Sequence, residues 1–150
     1  LPKLTKVAVL AVSIVALAGC TTAGTKNDYV DTVNEIQLDA QAAFSGVTGG
    51  VPDSKQELVS LLRDGEVALA EAVTKLEEVN VPAEAEAGHP KLVAGIDKLR
   101  QLFADTASDV ESESGAAAFA EVAPLGTKGT EIGAEVDAAI AQINKDIGAK

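Results

Sequence analysis

From Tyr29 to Ile147 the large apolar residues recur every three or four positions, in four runs separated by glycine and proline. That spacing returns side chains to one face of a 3.6-residue helix. No stretch alternates with period two between hairpin turns, which argues against strands. Helices with a single apolar stripe can hide it only against one another. The pattern therefore predicts an all-α fold, and an antiparallel, up-down-up-down four-helix bundle is the simplest arrangement.

The runs can be placed on the sequence. In "DYVDTVNEIQLDAQAAF", Tyr29, Val33, Ile36, Ala40 and Phe44 share a face, with Asn27 or Asp28 as the expected N-cap. "SGVTGGVPDS" breaks the pattern. Asp53 or Ser54 is expected to cap the second helix, whose apolar face holds Leu58, Leu61, Leu62, Leu69, Val73, Leu76 and Val79. "NVPAEAEAGHP" ends it, and Pro90 suits the first turn of the third helix, where no intrahelical N–H is lost. Leu92, Ile96, Leu99, Phe103 and Val110 form the third stripe. The fourth run, from Ala116 to about Ile147, carries Phe119, Val122, Leu125, Ile132, Val136, Ile140, Ile143 and Ile147, and Pro124, Gly126 and Gly129 should kink or interrupt it early.

Ahead of these helices lies a different kind of segment. Lys3 and Lys6 precede "VAVLAVSIVALAGC", which has no charged side chain through residue 20. A helix needs about 20 apolar residues to cross a bilayer. This run is shorter, and its order of positive charge, apolar core and small residues is that of a secretory signal. "LAGC" (Leu17, Ala18, Gly19, Cys20) closely resembles the bacterial lipoprotein box. That resemblance implies a diacylglyceryl group on the Cys20 thiol and cleavage before it. Two acyl chains make a durable anchor where one binds only reversibly. The expected organisation is a signal peptide over 1–19, a lipidated cysteine and flexible tether over 20–27, and a helical domain over 28–150. The expected location is the extracytoplasmic face of the bacterial cell membrane.

Loss of Lys3 and Lys6 with the signal takes the formal charge from −11 for the whole chain to −13. Nucleic acid is excluded as a partner by repulsion from its phosphates. Anionic headgroups are equally disfavoured, so the lipid on Cys20 must hold the protein at the membrane. The acidity suits a solvated surface, with a docking face for a basic partner or for divalent cations as the sharper alternative. Only Tyr29, Phe44, Phe103 and Phe119 are aromatic, which weighs against a carbohydrate site built on stacked rings.

"NDYVDTVNEIQLDAQ", with Asn34-Glu35-Ile36, resembles the start of the mature domain in small actinobacterial lipoproteins of unknown function. "VPAEAEAGHPKLVAGIDKL" and "EIGAEVDAAIAQINKDIG" resemble their proline turn with its helix and their last helix, so the likeness spans most of 28–148. Many members place a cysteine directly after Asn-x-Ile and another near the C-terminus. Gln37 stands in the first place and "IGAK" lacks the second, so the disulfide implied by the family is not expected here. The resemblance supplies no catalytic residues.

Chemistry-bearing motifs are few. Glu86 and His89 form one Glu-x-x-His, the half-motif of di-iron bundles, which need two copies and two further glutamates. A structural or surface histidine is the expected role. "GTKGTEIG" lacks the glycine-lysine-Ser/Thr order of a phosphate-binding loop, and Gly126, Gly129 and Gly133 are read as sites of close helix approach. "LEE" and "ESESG" lack the ligand pattern of a calcium loop. No catalytic, cofactor-binding or metal-binding residue is assigned, and no cofactor is called for. The reading is a non-enzymatic, lipid-anchored interaction module that binds an envelope protein. The alternative is a carrier of a small apolar or lipid-like ligand; an enzyme is the third and weakest.

Overall fold

A computed structural model describes residues 23–49 and 52–148. The 1–19 segment expected to be a signal peptide, and Cys20, lie outside the described residues. The fold is all-α, with no strand among the described residues. Helix α1 spans Ala23–Thr48, α2 Lys55–Glu78, α3 His89–Ser112, α4 Ala116–Ala120 and α5 Ala123–Ile147, with a 3₁₀ turn at Ala83–Ala85. The four long helices are α1, α2, α3 and α5.

Their ends follow from local chemistry. Ser54 caps α2, its Oγ accepting from the Glu57 N–H at 3.1 Å. The Glu57 carboxylate reaches back to accept from the Asp53 N–H at 2.8 Å, so two backbone donors are satisfied by one Ser-x-x-Glu unit. Pro90 lies in the first turn of α3. At the other end of α3, the Lys55 ammonium donates to the carbonyls of Glu111 and Glu113, acceptors that the helix itself leaves open. Helix α5 ends on Gly148 at φ 81°, whose N–H returns to the carbonyls of Asn144 and Lys145.

Consecutive long helices run antiparallel. Lys75 of α2 pairs with Glu35 of α1 at 2.7 Å, while the earlier Gly65 sits against the later Ala43. Gly65 also faces the Phe103 ring of α3, and Arg63 meets Glu111 at 3.1 Å. On the third seam Gly88 faces Ile143 and Gly95 faces Val136. Helix α1 meets α5 where the Phe44 ring lies against Gly129. Across the diagonal, Phe44 and Phe103 pack edge to face with ring centroids 5.0 Å apart. The packing runs through three seams, α1–α2, α2–α3 and α3–α5, with Phe44 bridging α1 to α5 at Gly129.

The interior follows the stripes. Tyr29, Val33, Ile36, Leu58, Leu62, Leu69, Leu76, Leu92, Ile96, Phe103, Val110, Leu125 and Ile143 are all buried. Three expectations are corrected. Helix α1 begins at Ala23, so Asn27 and Asp28 lie within it rather than capping it. Its first turn reaches across the end of the bundle, where Lys26 pairs with Glu84. Phe119 is 37% exposed, while its neighbour Ala118 is fully buried. The turn at residues 121–122, just ahead of Pro124, resets the helical phase and uncouples α4 from the α5 stripe. Gly129 and Gly133 are buried on the packing side, but Gly126 is exposed with open space around it.

Candidate functional site

Two places gather polar groups next to packed helices. The first is where α1 meets the start of α3. Tyr29 is fully buried, and its Oη lies 3.1 Å from His89 Nδ1. The rings are tilted by 57° with centroids 5.7 Å apart. The direction follows the imidazole tautomer: with the ring proton on Nε2 the hydroxyl donates to Nδ1, and with the proton on Nδ1 the hydroxyl accepts. Burial pushes the Tyr29 hydroxyl up to about 12, so it stays protonated at any physiological pH. Burial also pushes His89 below its ordinary value, opposed by a hydrogen bond with the Leu76 backbone. Position in the first turn of α3, at the positive end of the helix dipole, disfavours imidazolium further.

This pair joins α1 to the start of α3. Glu86, three residues before His89, is exposed on the turn, so the Glu-x-x-His spacing does not bring carboxylate and imidazole into one inward site. Among the described residues no group of three or more His, Cys, Asp or Glu side chains is placed to hold a metal ion. The glycines of "GTKGTEIG" lie within α5. Glu77, Glu78 and the acidic residues of "ESESG" are exposed.

The second place is an outward groove of about 440 Å³ along the α3–α5 seam. Ala94 and Gly95 of α3 and Ala138 and Ala139 of α5 make its floor. Together with Lys91 and Lys98 on α3 and Glu135 and Gln142 on α5, they fall at i, i+3, i+4 and i+7 on each helix, so the lining forms one stripe along the seam. A Cβ on Gly95 would lie 2.7 Å from Val136 Cγ2, which is why the helices approach closely here. Lys91, Lys98, Glu135 and Gln142 form the rim. Lys98 spans it as an ion pair with Glu135, and Gln142 donates to both Asp146 oxygens at 2.7 and 2.8 Å. The groove opens to solvent and has a charged rim over an aliphatic floor. Such a surface can bind a protein side chain or segment; it lacks the enclosed apolar walls that hold a lipid tail.

Sequence reading missed this groove because none of its residues carries a motif. The signal was present in one form: small residues at 94, 95, 138 and 139 interrupting two amphipathic helices. It missed the Tyr29–His89 bond because the partners are 60 residues apart. No helix among the described residues is long and apolar enough to cross a membrane. No family model, curated protein or solved structure matches this chain, so the resemblance over 28–148 stands on the quoted residues alone.

Proposed function

We propose that this chain is a lipid-anchored, extracytoplasmic, non-enzymatic module that works by binding another protein of the bacterial envelope. The diacylglyceryl group on Cys20 would hold it at the membrane. The filled interior is the observation that carries this reading. Aromatic and aliphatic side chains from all four long helices interlock through Phe44, Phe103 and the glycines beneath them. Among the described residues no buried side-chain nitrogen or oxygen lacks a partner. A carrier of an apolar ligand uses its interior to hold cargo, and here the interior holds the protein's own side chains. The accessible groove lies outside, with Lys91, Lys98 and Glu135 around it.

Two experiments test the reading. Cys20→Ser is expected to abolish incorporation of labelled fatty acid and to leave the precursor largely unprocessed; unchanged labelling refutes the anchor. A photo-crosslinker at Ala138, on the groove floor, is expected to capture one discrete envelope protein in intact membranes. Recovery of copurifying lipid with no protein adduct supports the carrier instead.

A further inference from the structure

We infer that the outward face of α4, centred on Phe119, is a docking surface for a protein that carries lysines or arginines around an apolar pocket. This surface is separate from the α3–α5 groove and does not depend on Cys20. Helix α4 presents Ala116, Ala117, Phe119 and Ala120 to solvent, and Ala123 and Pro124 carry the exposed apolar run into α5. Within α4 only Ala118 turns inward. Tyr29 and Phe103 are fully buried and Phe44 is half-buried, so Phe119 is the one aromatic ring carried on the surface. Pro124 has no N–H to return to the Ala120 carbonyl, so the helix breaks at 121–122 and the ring leaves the α5 stripe. The other exposed large apolar residues stand singly. Leu38 shares its helix face with Asn34, Glu35 and Gln41, and Val67 with Arg63, Asp64 and Glu71. Single apolar residues on a surface are ordinary, whereas a contiguous set with an aromatic at its centre has the composition of an interface core.

Charge selects the occupant. From Asp109 to Thr127 the chain carries four carboxylates, Asp109, Glu111, Glu113 and Glu121, and no basic residue. Helix α4 packs on α3, whose last turn and C-cap hold the first three. Two cations reach this region, and both are engaged. Lys55 donates to the carbonyls of Glu111 and Glu113, and Arg63 pairs with Glu66 and Glu111. The carboxylates of Asp109, Glu113 and Glu121 have no ion pair among the described residues. Lys128, the next basic residue along the chain, has Glu131 one turn further on α5. An apolar patch beside uncompensated carboxylates disfavours two of its three possible occupants. An anionic lipid surface meets charge of its own sign. A second copy brings the same carboxylates and a net charge of −11. A basic protein surface with an apolar pocket gains from both features: the charges steer its approach, and the ring supplies the contact that holds it.

The chain has no tryptophan, so Phe119→Trp places a single indole on the patch. The full chain, held in phosphatidylcholine nanodiscs, is titrated with an amphipathic helical peptide bearing a leucine face and a lysine face. The emission of Phe119→Trp is expected to shift to the blue. That of Leu38→Trp, also exposed and flanked by Glu35 and Asp39, is expected to stay where it is. By calorimetry, Phe119→Ala is expected to weaken the peptide about tenfold, the effect of losing an interface anchor. Phe119→Ser repeats the measurement should Phe119→Ala lose helical content. Equal shifts at the two positions, or an affinity unchanged in these variants, overturn the inference by showing attraction to acidity alone. A blue shift of Phe119→Trp on adding phosphatidylglycerol vesicles without peptide assigns the patch to the membrane. One on raising the protein concentration assigns it to a second copy, and either result also overturns the basic partner.

Discussion

At one end of the bundle, residues 79–88 link α2 to α3 in a turn whose Pro82, Ala85 and Gly88 are buried. Long-range contacts pin it to both outer helices: Lys26 to Glu84, Tyr29 to His89, and Ile143 against Gly88. At the other end, residues 113–122 form a connection of similar length whose residues are mostly exposed. Only Ala118 is buried there, Phe119 faces solvent, and Gly115 takes φ 59°, a left-handed backbone that costs glycine nothing. The contrast shows where cohesion resides. A connection is rigid when its small residues fit under side chains of distant helices, and loose when its apolar residues fall out of phase with the core.

The largest test of that contrast removes one side chain from each end. Leu76→Ala, fully buried in the last turn of α2, is expected to cost about 2–5 kcal/mol in chemical denaturation. Phe119→Ala is expected to stay within about 0.5 kcal/mol, as exposed sites do. Equal losses would break the comparison.

Glycine exchanges sharpen it. A Cβ on Gly88 would lie 2.5 Å from Ile143 Cγ1, so Gly88→Ala is expected to lose about 1–3 kcal/mol. Gly126 in α5 has nothing within 4 Å, and Gly126→Ala is expected to gain up to about 1 kcal/mol through helix propensity. A stabilising Gly88→Ala would show that the closed end is less tightly packed than its contacts indicate.

Tyr29→Phe keeps the buried ring but removes the hydroxyl bonded to His89 Nδ1. It is expected to cost about 1 kcal/mol, the size of one intramolecular hydrogen bond. Its thermal midpoint should fall with no change in helical content.

The smallest effect is a pH slope. Burial holds His89 below its ordinary value, so on acidification the unfolded chain binds a proton before the folded one. Stability is then level above about pH 6.5, the unperturbed value. It declines as pH falls toward the folded value, because the state that binds more protons gains. His89→Gln is expected to flatten that window. Asp97 and Glu84 are held low by Arg100 and Lys26, so their stabilising contributions are lost only further into acid. A slope unchanged in His89→Gln would remove the histidine from the closed end's energetics.

Much of this architecture was legible in the order of residues. The stripes of α2 and α3 landed on the core, Ser54 capped where a Ser-x-x-Glu precedes an apolar run, and Pro90 opened α3. These features depend on neighbours within four positions, which sequence displays directly. The start of α1 was not legible: nothing local in "AGTKN" favours a helix, and its contacts include the Lys26–Glu84 pair, 58 residues apart. The outward turn of Phe119 was hidden for a similar reason. A continuous count from 119 to 125 assumes one helix, and the break at 121–122 changes the angle at which each later residue points.

The sequence by itself determined the helical class, the stripe each long helix buries and the excess of negative charge, since periodicity and composition need no partner. Tertiary structure alone decided that Gly65, Gly88, Gly95 and Gly129 serve as seats for Phe103, Ile143, Val136 and Phe44. It also decided that the Tyr29 hydroxyl meets His89, 60 residues further along the chain. Both outcomes depend on which residues from distant parts of the chain share a space, and that follows from how four rods close together.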